Sequence, residues 1–416
     1  MLKADNLFIS FGGEIKEQLF TVNHERWDAD RQGVYAPGSD RPYLLQRFMF
    51  HANITLSSHL RIFGELKSGF ESGRLTGPRP NIDQDKLDLG QAFLDLDLFP
   101  GKKNDLLFRI GRQELDYGAS RLISENEGPN LRLSFDGYKA ILKTPWLVLD
   151  GFLTRPVDNL PGVFDDKVNK DNKLYGIYTT ISLSPSRKNY LDVYFIGNSN
   201  RRAVYFKRSG TENRHSWGIR FYRTQRAPVT YDLEATYQNG RFADGVIRAY
   251  GLLARLNYNF SGNGLLKTLS LVGQITSGDQ GKDRELNTFN PLYPRVYYGI
   301  GAPYWPSNIK QFTPSADFRL AERLVLTADV HFLWRDNRND GLYFVNPVRS
   351  ANSFGIGVPS RHSFIGAQQD VDVIWSIKKF WSVEGIFTYL PETAYISDSG
   401  HGTSILFAGI QTKFSF

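Results

Sequence analysis

The sequence predicts an all-β chain folded as a transmembrane antiparallel β-barrel of about eighteen strands. Three observations predict it. Residues 401–416 alternate strictly: Leu406, Ala408, Ile410, Thr412, Phe414 and Phe416 share one face, while Phe407, Gly409, Gln411, Lys413 and Ser415 share the other. One apolar face and one small or polar face suit a wall between lipid and water. The same alternation recurs along the whole chain, with links that are short and long in turn. No apolar run approaches the roughly 18 residues that a helical span needs.

Segments at 7–20, 43–56, 60–70, 87–98 and 106–117 open the series. In 43–56, Phe48, Phe50, Ala52, Ile54 and Leu56 lie opposite Arg47, Met49, His51, Asn53 and Thr55. Segment 60–70 carries Arg61, Glu65 and Lys67 on its polar face, and 87–98 sets Ala92, Leu94, Leu96 and Leu98 against Gln91, Asp95 and Asp97. The rhythm continues at 130–143, 146–156, 173–183, 189–198, 214–224, 229–239, 245–260, 267–278, 311–321, 323–335, 361–377, 380–390 and 402–416. The links SSH, PGKKND, KTP, SPSRK, TQRAP, LAER and IKKF are short, and those near 21–40, 72–85, 156–172, 279–309 and 336–358 are long. Short turns at one end, long loops at the other and an even strand number are the pattern of bacterial barrels. The last strand pairs with the first, which removes both sheet edges. One domain then spans 1–416.

Parity fails once. With Leu106, Phe108 and Ile110 facing lipid, Arg112 and Glu114 would face it too, at roughly 2–4 kcal/mol for an arginine at mid-bilayer. A bulge near Gly111 or a position at the rim is expected. The aromatic-rich 286–306 stretch reads either as a packed outer loop or as a loop folded into the lumen, and 336–358 is a second candidate plug.

Several function classes drop out. The absence of cysteine excludes disulfides, thiolate metal sites and a thiol nucleophile. Histidines such as His24, His51, His215, His331, His362 and His401 show no metal-binding spacing. Gly299–Gly301 and Gly355–Gly357 lack the third glycine and following helix of a phosphate cradle. No cofactor is expected, and no nucleic-acid partner. The opening MLKADNLFISFGGE has no apolar signal core, so the barrel reading expects a mature form without its signal peptide. A net charge of +7 favours anionic partners modestly.

The inward face carries the chemistry. Basic candidates are Arg47, Arg61, Lys67, Arg109, Arg132, Arg220, Arg319, His331, Arg335 and Lys413. Acidic ones are Glu65, Asp95, Asp97, Asp136, Asp232, Glu234, Asp329, Asp370, Asp372 and Glu384. Rings of cations select anions and rings of acids select cations. Similar numbers of each give a zwitterionic lumen, and many members can equally be solvated wall residues or cross-strand pairs worth little apiece. An arginine suits a carboxylate cargo because its planar fork binds bidentately.

At GRQELDYGASRL, residues 111–122, the chain resembles the alginate-export family of outer-membrane barrels. The resemblance recurs at SFDGYKAI (134–141), GFLTRPV (151–157), YDLEATYQNG (231–240), FNPLYPRVYYG (289–299) and IGAQQDVDVIW (365–375). Family members often carry an acid two residues after the glycine of the last motif, where this chain has Gln368. The resemblance implies an 18-strand barrel in the bacterial outer membrane, with a narrow arginine-lined passage for an anionic uronate polymer. It raises Arg112 and Arg121, inside the strongest motif, as pore residues beside Arg47, Arg109, Arg132, Arg220, Arg319, Arg335, Gln368 and Asp370. Expected partners are an anionic polysaccharide or small organic anion, outer-membrane lipid and lipopolysaccharide, and a periplasmic export scaffold. Two alternatives stand beside export: an uptake porin for small organic anions or other nutrients, and a β-rich polysaccharide enzyme.

Overall fold

The computed structural model describes residues 2–4, 7–23, 41–74, 77–128, 130–184, 188–205, 208–223, 227–295, 299, 304–343, 355–356, 360–399 and 404–416. Among them, eighteen long strands close into a barrel. The first nine are β1 (Leu7–Asn23), β2 (Tyr43–Thr55), β3 (Leu60–Ser72), β4 (Asp85–Asp97), β5 (Asp105–Gln113), β6 (Phe135–Lys143), β7 (Leu147–Asp158), β8 (Asn172–Ser182) and β9 (Asn189–Tyr205). The second nine are β10 (Arg208–Arg223), β11 (Val229–Phe242), β12 (Gly245–Asn259), β13 (Leu266–Thr276), β14 (Ile309–Ala321), β15 (Leu324–Arg335), β16 (Phe364–Lys378), β17 (Trp381–Leu390) and β18 (Ile405–Ser415). Each pairs antiparallel with its sequence neighbours, and β18 pairs with β1 from Glu14↔Ser415 to Asn23↔Leu406. The ladder continues to Phe416, whose backbone exchanges two hydrogen bonds with Gly13.

The side chains are sorted inside out relative to a water-soluble domain. Phe11, Leu19, Phe50, Ile110, Ile177, Leu256 and Ile410 are among the large apolar residues that stand exposed on the outer wall. Lys16, Gln18, Arg47, Lys67, Asp95, Arg214, Gln238, Gln368 and Asp370 are buried within. A continuous apolar exterior of this kind marks a lipid-facing surface. Exposed Phe99, Trp146, Phe260, Phe380, Trp381 and Phe414 gather at the short-turn end, and Trp217, Tyr237 and Tyr250 form a row on β10–β12 nearer the long loops. These are the two aromatic girdles of a membrane barrel.

Three features differ from the sequence reading. Strand β5 stops at Gln113 and β6 starts at Phe135, so residues 114–134 form one long connection rather than two strand ends. Leu131 and Leu133 are buried and alternate with the polar Asn130 and Arg132, which imitates a strand. Strands β9 and β10 also run past the predicted 198 and 214, with a register shift between Asn200 and Ala203. At the long-loop end β11 and β12 are joined by just Ala243 and Asp244, the former with a φ of 51° that suits a tight hairpin.

The parity break at Arg112 resolves at the rim. Pairing stays in register through Gly111, which takes a φ of 128°, so no bulge forms there. Arg112 is the penultimate residue of β5 and shares an outer groove with Ile110 and Tyr138. It bonds Asp136, its direct partner on β6, at 2.9 Å and reaches Asp88 at 3.5 Å.

Gly218 of β10 lies opposite Tyr194 of β9, and the Tyr194 ring covers the space where a Cβ would stand. That position lets the Tyr194 hydroxyl reach Glu234 and Thr236, each at 2.7 Å. Replacing Gly218 with Val is expected to displace the ring and cost about 1–3 kcal/mol by overpacking. The check is the temperature at which the folded band disappears in unheated-versus-heated gel mobility, which should fall for Gly218→Val.

Candidate functional site: a lumen crossed by two loops

The connection 114–134 leaves the top of β5 and traverses the barrel interior, fixed at three places. Near its start, the Tyr117 ring stacks on Phe152 of β7 and Tyr178 of β8, with centroids 5.2 and 5.1 Å away, and Tyr178 stacks on Tyr194 in turn. The Lys139 ammonium lies 4.9 Å from the Tyr117 centroid. In the middle, Arg121 binds Asp232 at 2.6 Å and also Glu234, both on β11. Arg220 of β10 shares Asp232 at 2.8 Å and takes Asp192 of β9 at 3.2 Å.

The third anchor is on the opposite wall. The Glu127 carboxylate accepts from Arg47 of β2 at 2.7 Å, from Lys16 of β1 at 3.5 Å and from Arg132 of its own loop. Burial alone would raise the Glu127 pKa, but Arg47, Arg132 and Lys16 outweigh it and hold the carboxyl well below the usual range. Glu14 bonds Arg47 and lies 3.4 Å from Arg132. The Asn130 amide donates to the carbonyls of Gln46, Phe70 and Asp83 at 2.8–3.1 Å. Oppositely charged clamps thus hold the two halves of one loop to facing walls.

A second loop, 277–308, lies against the first. Leu286, Phe289, Leu292 and Tyr293 are buried. Tyr293 and Ile123 form a parallel bridge, in which the Tyr293 N–H donates to Leu122 and its carbonyl accepts from Ser124. The Arg295 N–H donates to the Ser120 carbonyl at 2.8 Å. Within the described residues the 286–306 stretch therefore folds inward. Of the 336–358 candidate, Asp340 and Tyr343 pack behind it, with Asp340 accepting from the Thr288 hydroxyl at 2.7 Å; residues 344–354 and 357–359 lie outside the described residues.

Between these loops and the wall of β16, β17, β18 and β1 there is a cavity of about 310 Å³. Lys16, Arg295 and Lys413 border it, as do Glu127, Asp372 and Glu384. The basic and acidic contributions come from different arcs of wall. Lys413, Lys16 and Arg47 are neighbours across β18, β1 and β2. Asp329 and Asp370 face each other across β15 and β16, with Asp372 two residues on.

The remaining candidate residues fall into two groups. Arg109 binds Asp95 at 2.7 Å and lies 3.7 Å from the Phe93 centroid, low on the wall. Arg319 donates to Gly262 O and Asn263 at the short-turn end. Arg335 donates to the carbonyls of Ser360 and His362 at the long-loop end. Gln368 accepts from Tyr304 and donates to Asp370, which also accepts from Thr388 and pairs with His331 at 3.2 Å. Missed in the sequence were Lys16, Tyr117, Glu127, Asn130 and Arg295. Lys16 was legible on the polar face of 7–20; Glu127 and Arg295 sit in connections, where no periodicity marks them, and Tyr117 and Asn130 fall at the ends of stretches that read as strands.

The alginate export family model matches residues 9–385. The chain belongs to that family. It is an outer-membrane channel protein. No curated protein matches the sequence. Solved structures share the fold at low identity. Pseudomonas aeruginosa OccK11 (OpdR) is 12% identical with a TM-score of 0.61, covering 98% of this chain and 96% of its own. Acinetobacter baumannii OccAB4 is 10% identical with a TM-score of 0.62, covering 98% of both chains. Pseudomonas aeruginosa OpdK, solved with vanillate, is 11% identical with a TM-score of 0.60 and the same coverage.

Two outcomes follow for this alginate export family member. Arg121→Ala leaves Asp232 and Glu234 facing one cation fewer and frees one clamp of the 114–134 loop. A cost on the order of 3 kcal/mol is expected from the broken buried pair, with larger and noisier single-channel conductance. Glu114, next to the Arg132 clamp, has its carboxyl pushed up to about 7 by burial, partly offset by Arg132. Its folded-state pKa exceeds its unfolded one, so the native state holds the extra proton between about 4.5 and 7, and loop seating weakens as pH rises through that window. Conductance noise should therefore be greater at pH 8 than at pH 5.5, and Glu114→Gln should flatten that difference.

Proposed function

We propose that the channel passes anionic saccharides, an alginate-like uronate polymer in the first place, through the gap between the 114–134 loop and the β16–β1 wall. The observation that carries this reading is the pair Lys413 and Lys16 bordering that gap, with Arg47 buried beside Lys16 on the next strand, in a chain of the alginate export family. Cations fixed in a narrow, water-poor passage attract carboxylates more strongly than they would in bulk water. Arg47 and Arg132 hold Glu127, which borders the gap, and so act on it through that carboxylate. Arg109, Arg121 and Arg220 act through the acids they hold, keeping the walls and loop in place, while Arg112 and Arg319 border the two rims. Arg335, Gln368 and Asp370 support the long-loop end, and a periplasmic scaffold delivers the polymer.

A second reading is favoured by the size of the gap. About 310 Å³ holds a small carboxylate more readily than a polymer in motion, and OpdK, of the same fold, was solved with vanillate. Uptake of small organic anions would then be the task.

Single-channel recording in a planar bilayer under a salt gradient separates the two. Discrete anion-selective steps blocked by polyuronate at the long-loop or short-turn side are the expected result. Anion-selective steps indifferent to polyuronate but blocked by small carboxylates would move the assignment to uptake. Cation selectivity would overturn both.

A further inference from the structure

Lys413 is registered opposite Lys16, and Lys16 opposite Arg47, so three cations stand side by side on β18, β1 and β2. Like charges directly opposite on adjacent strands destabilise a sheet. Arg132 brings a fourth cation to the same place from the loop side, through the carboxylates it shares with Arg47. Three carboxylates neutralise the group, Glu114 lying 3.7 Å from Arg132, but one of them touches most of it. Glu127 touches Lys16, Arg47 and Arg132 together, and Glu14 supports the two arginines. The Lys413 side chain makes no hydrogen bond or ion pair among the described residues, and it borders the cavity together with Glu127 and Gly128. A solute in the gap therefore meets an ammonium that no carboxylate holds among the described residues, beside the bound Glu127 and across the same cavity from Asp372 and Glu384.

We infer that Lys16, Arg47, Arg132 and Lys413 form a carboxylate-binding seat whose resident ligand is the chain's own Glu127, and that a uronate carboxylate takes the same seat when Glu127 leaves it. The inference rests on the anion-channel reading and deepens it. Withdrawing Glu127 alone would strand buried cations, which is strongly unfavourable. Exchanging one carboxylate for another keeps each cation matched, so the loop can yield to an anion where it would resist an uncharged solute. Lys413 makes the first contact, because it faces the gap and Glu127 does not hold it.

The test uses the full-length protein in planar bilayers, with sodium D-glucuronate as probe and glucose as the uncharged control. Glu127→Gln keeps the side-chain shape and removes the competing charge. Glucuronate should block Glu127→Gln at about a tenth of the concentration needed for the unaltered chain, roughly the effect of one charge-assisted hydrogen bond, with glucose inert on both. Lys413→Gln should raise the blocking concentration. Equal block of Glu127→Gln and the unaltered chain, or equal block by glucose, would sink the seat. Should Glu127→Gln fail to reach the folded gel band, Lys413→Gln decides, and an unchanged glucuronate block there overturns the proposal. Cation selectivity with a retained difference between Glu127→Gln and the unaltered chain would discard the anion-cargo reading and leave the seat standing.

Discussion

No backbone N–H or C=O can be left unpaired in hydrocarbon, and the rest of the structure depends on that constraint. It forces β18 onto β1 and makes every other strand the neighbour of its sequence partners. Once the sheet is closed, alternation has a fixed meaning: one parity meets lipid, the other meets the interior. A one-residue slip of β1 would exchange Phe11, Ile15 and Leu19 with Glu14, Lys16 and Gln18. The closure therefore sets which charges can meet in the lumen.

Inside, neutralisation governs the arrangement. An eighteen-strand cylinder has more interior than its wall side chains can fill, and here two loops fill it. Their polar groups would be costly to enclose without partners, so the wall supplies acids where the loop offers Arg121 and cations where it offers Glu127. The stacked Tyr117, Tyr178 and Tyr194 add a third contact that carries no charge. The wall chemistry that looks like a selectivity pattern in the sequence is thus largely a set of sockets for the chain's own loops.

The wall was legible in the sequence and the contents of the lumen were not, for a physical reason. Each strand repeats one choice, lipid or interior, many times; Leu406 to Phe416 alone reports it six times over. The loops make each contact once. Glu127 lies in ENEGP, a stretch that reads as an ordinary polar turn until Lys16 and Arg47 are brought beside it. Residues 130–134 misled because buried Leu131 and Leu133 alternate with polar Asn130 and Arg132 without joining the sheet. Arg112 was recognised as out of place, and its position at the rim beside Asp136 explains it, though the glycine before it turns without shifting the register.

The loop clamps also bear on the order in which the molecule is assembled. Glu127 reaches back 111 residues to Lys16, and Arg121 reaches forward 111 residues to Asp232. Neither partner wall is in place until long-range pairing has brought β1 and β11 to opposite sides of a cylinder. Contacts of such high sequence separation form late, because the entropy of closing the intervening chain must be met first. The cross-lumen loop is therefore the last part to settle, and an incompletely zipped barrel is an unobstructed one. Permeability control is in this sense a product of finished assembly, acquired when the cylinder closes.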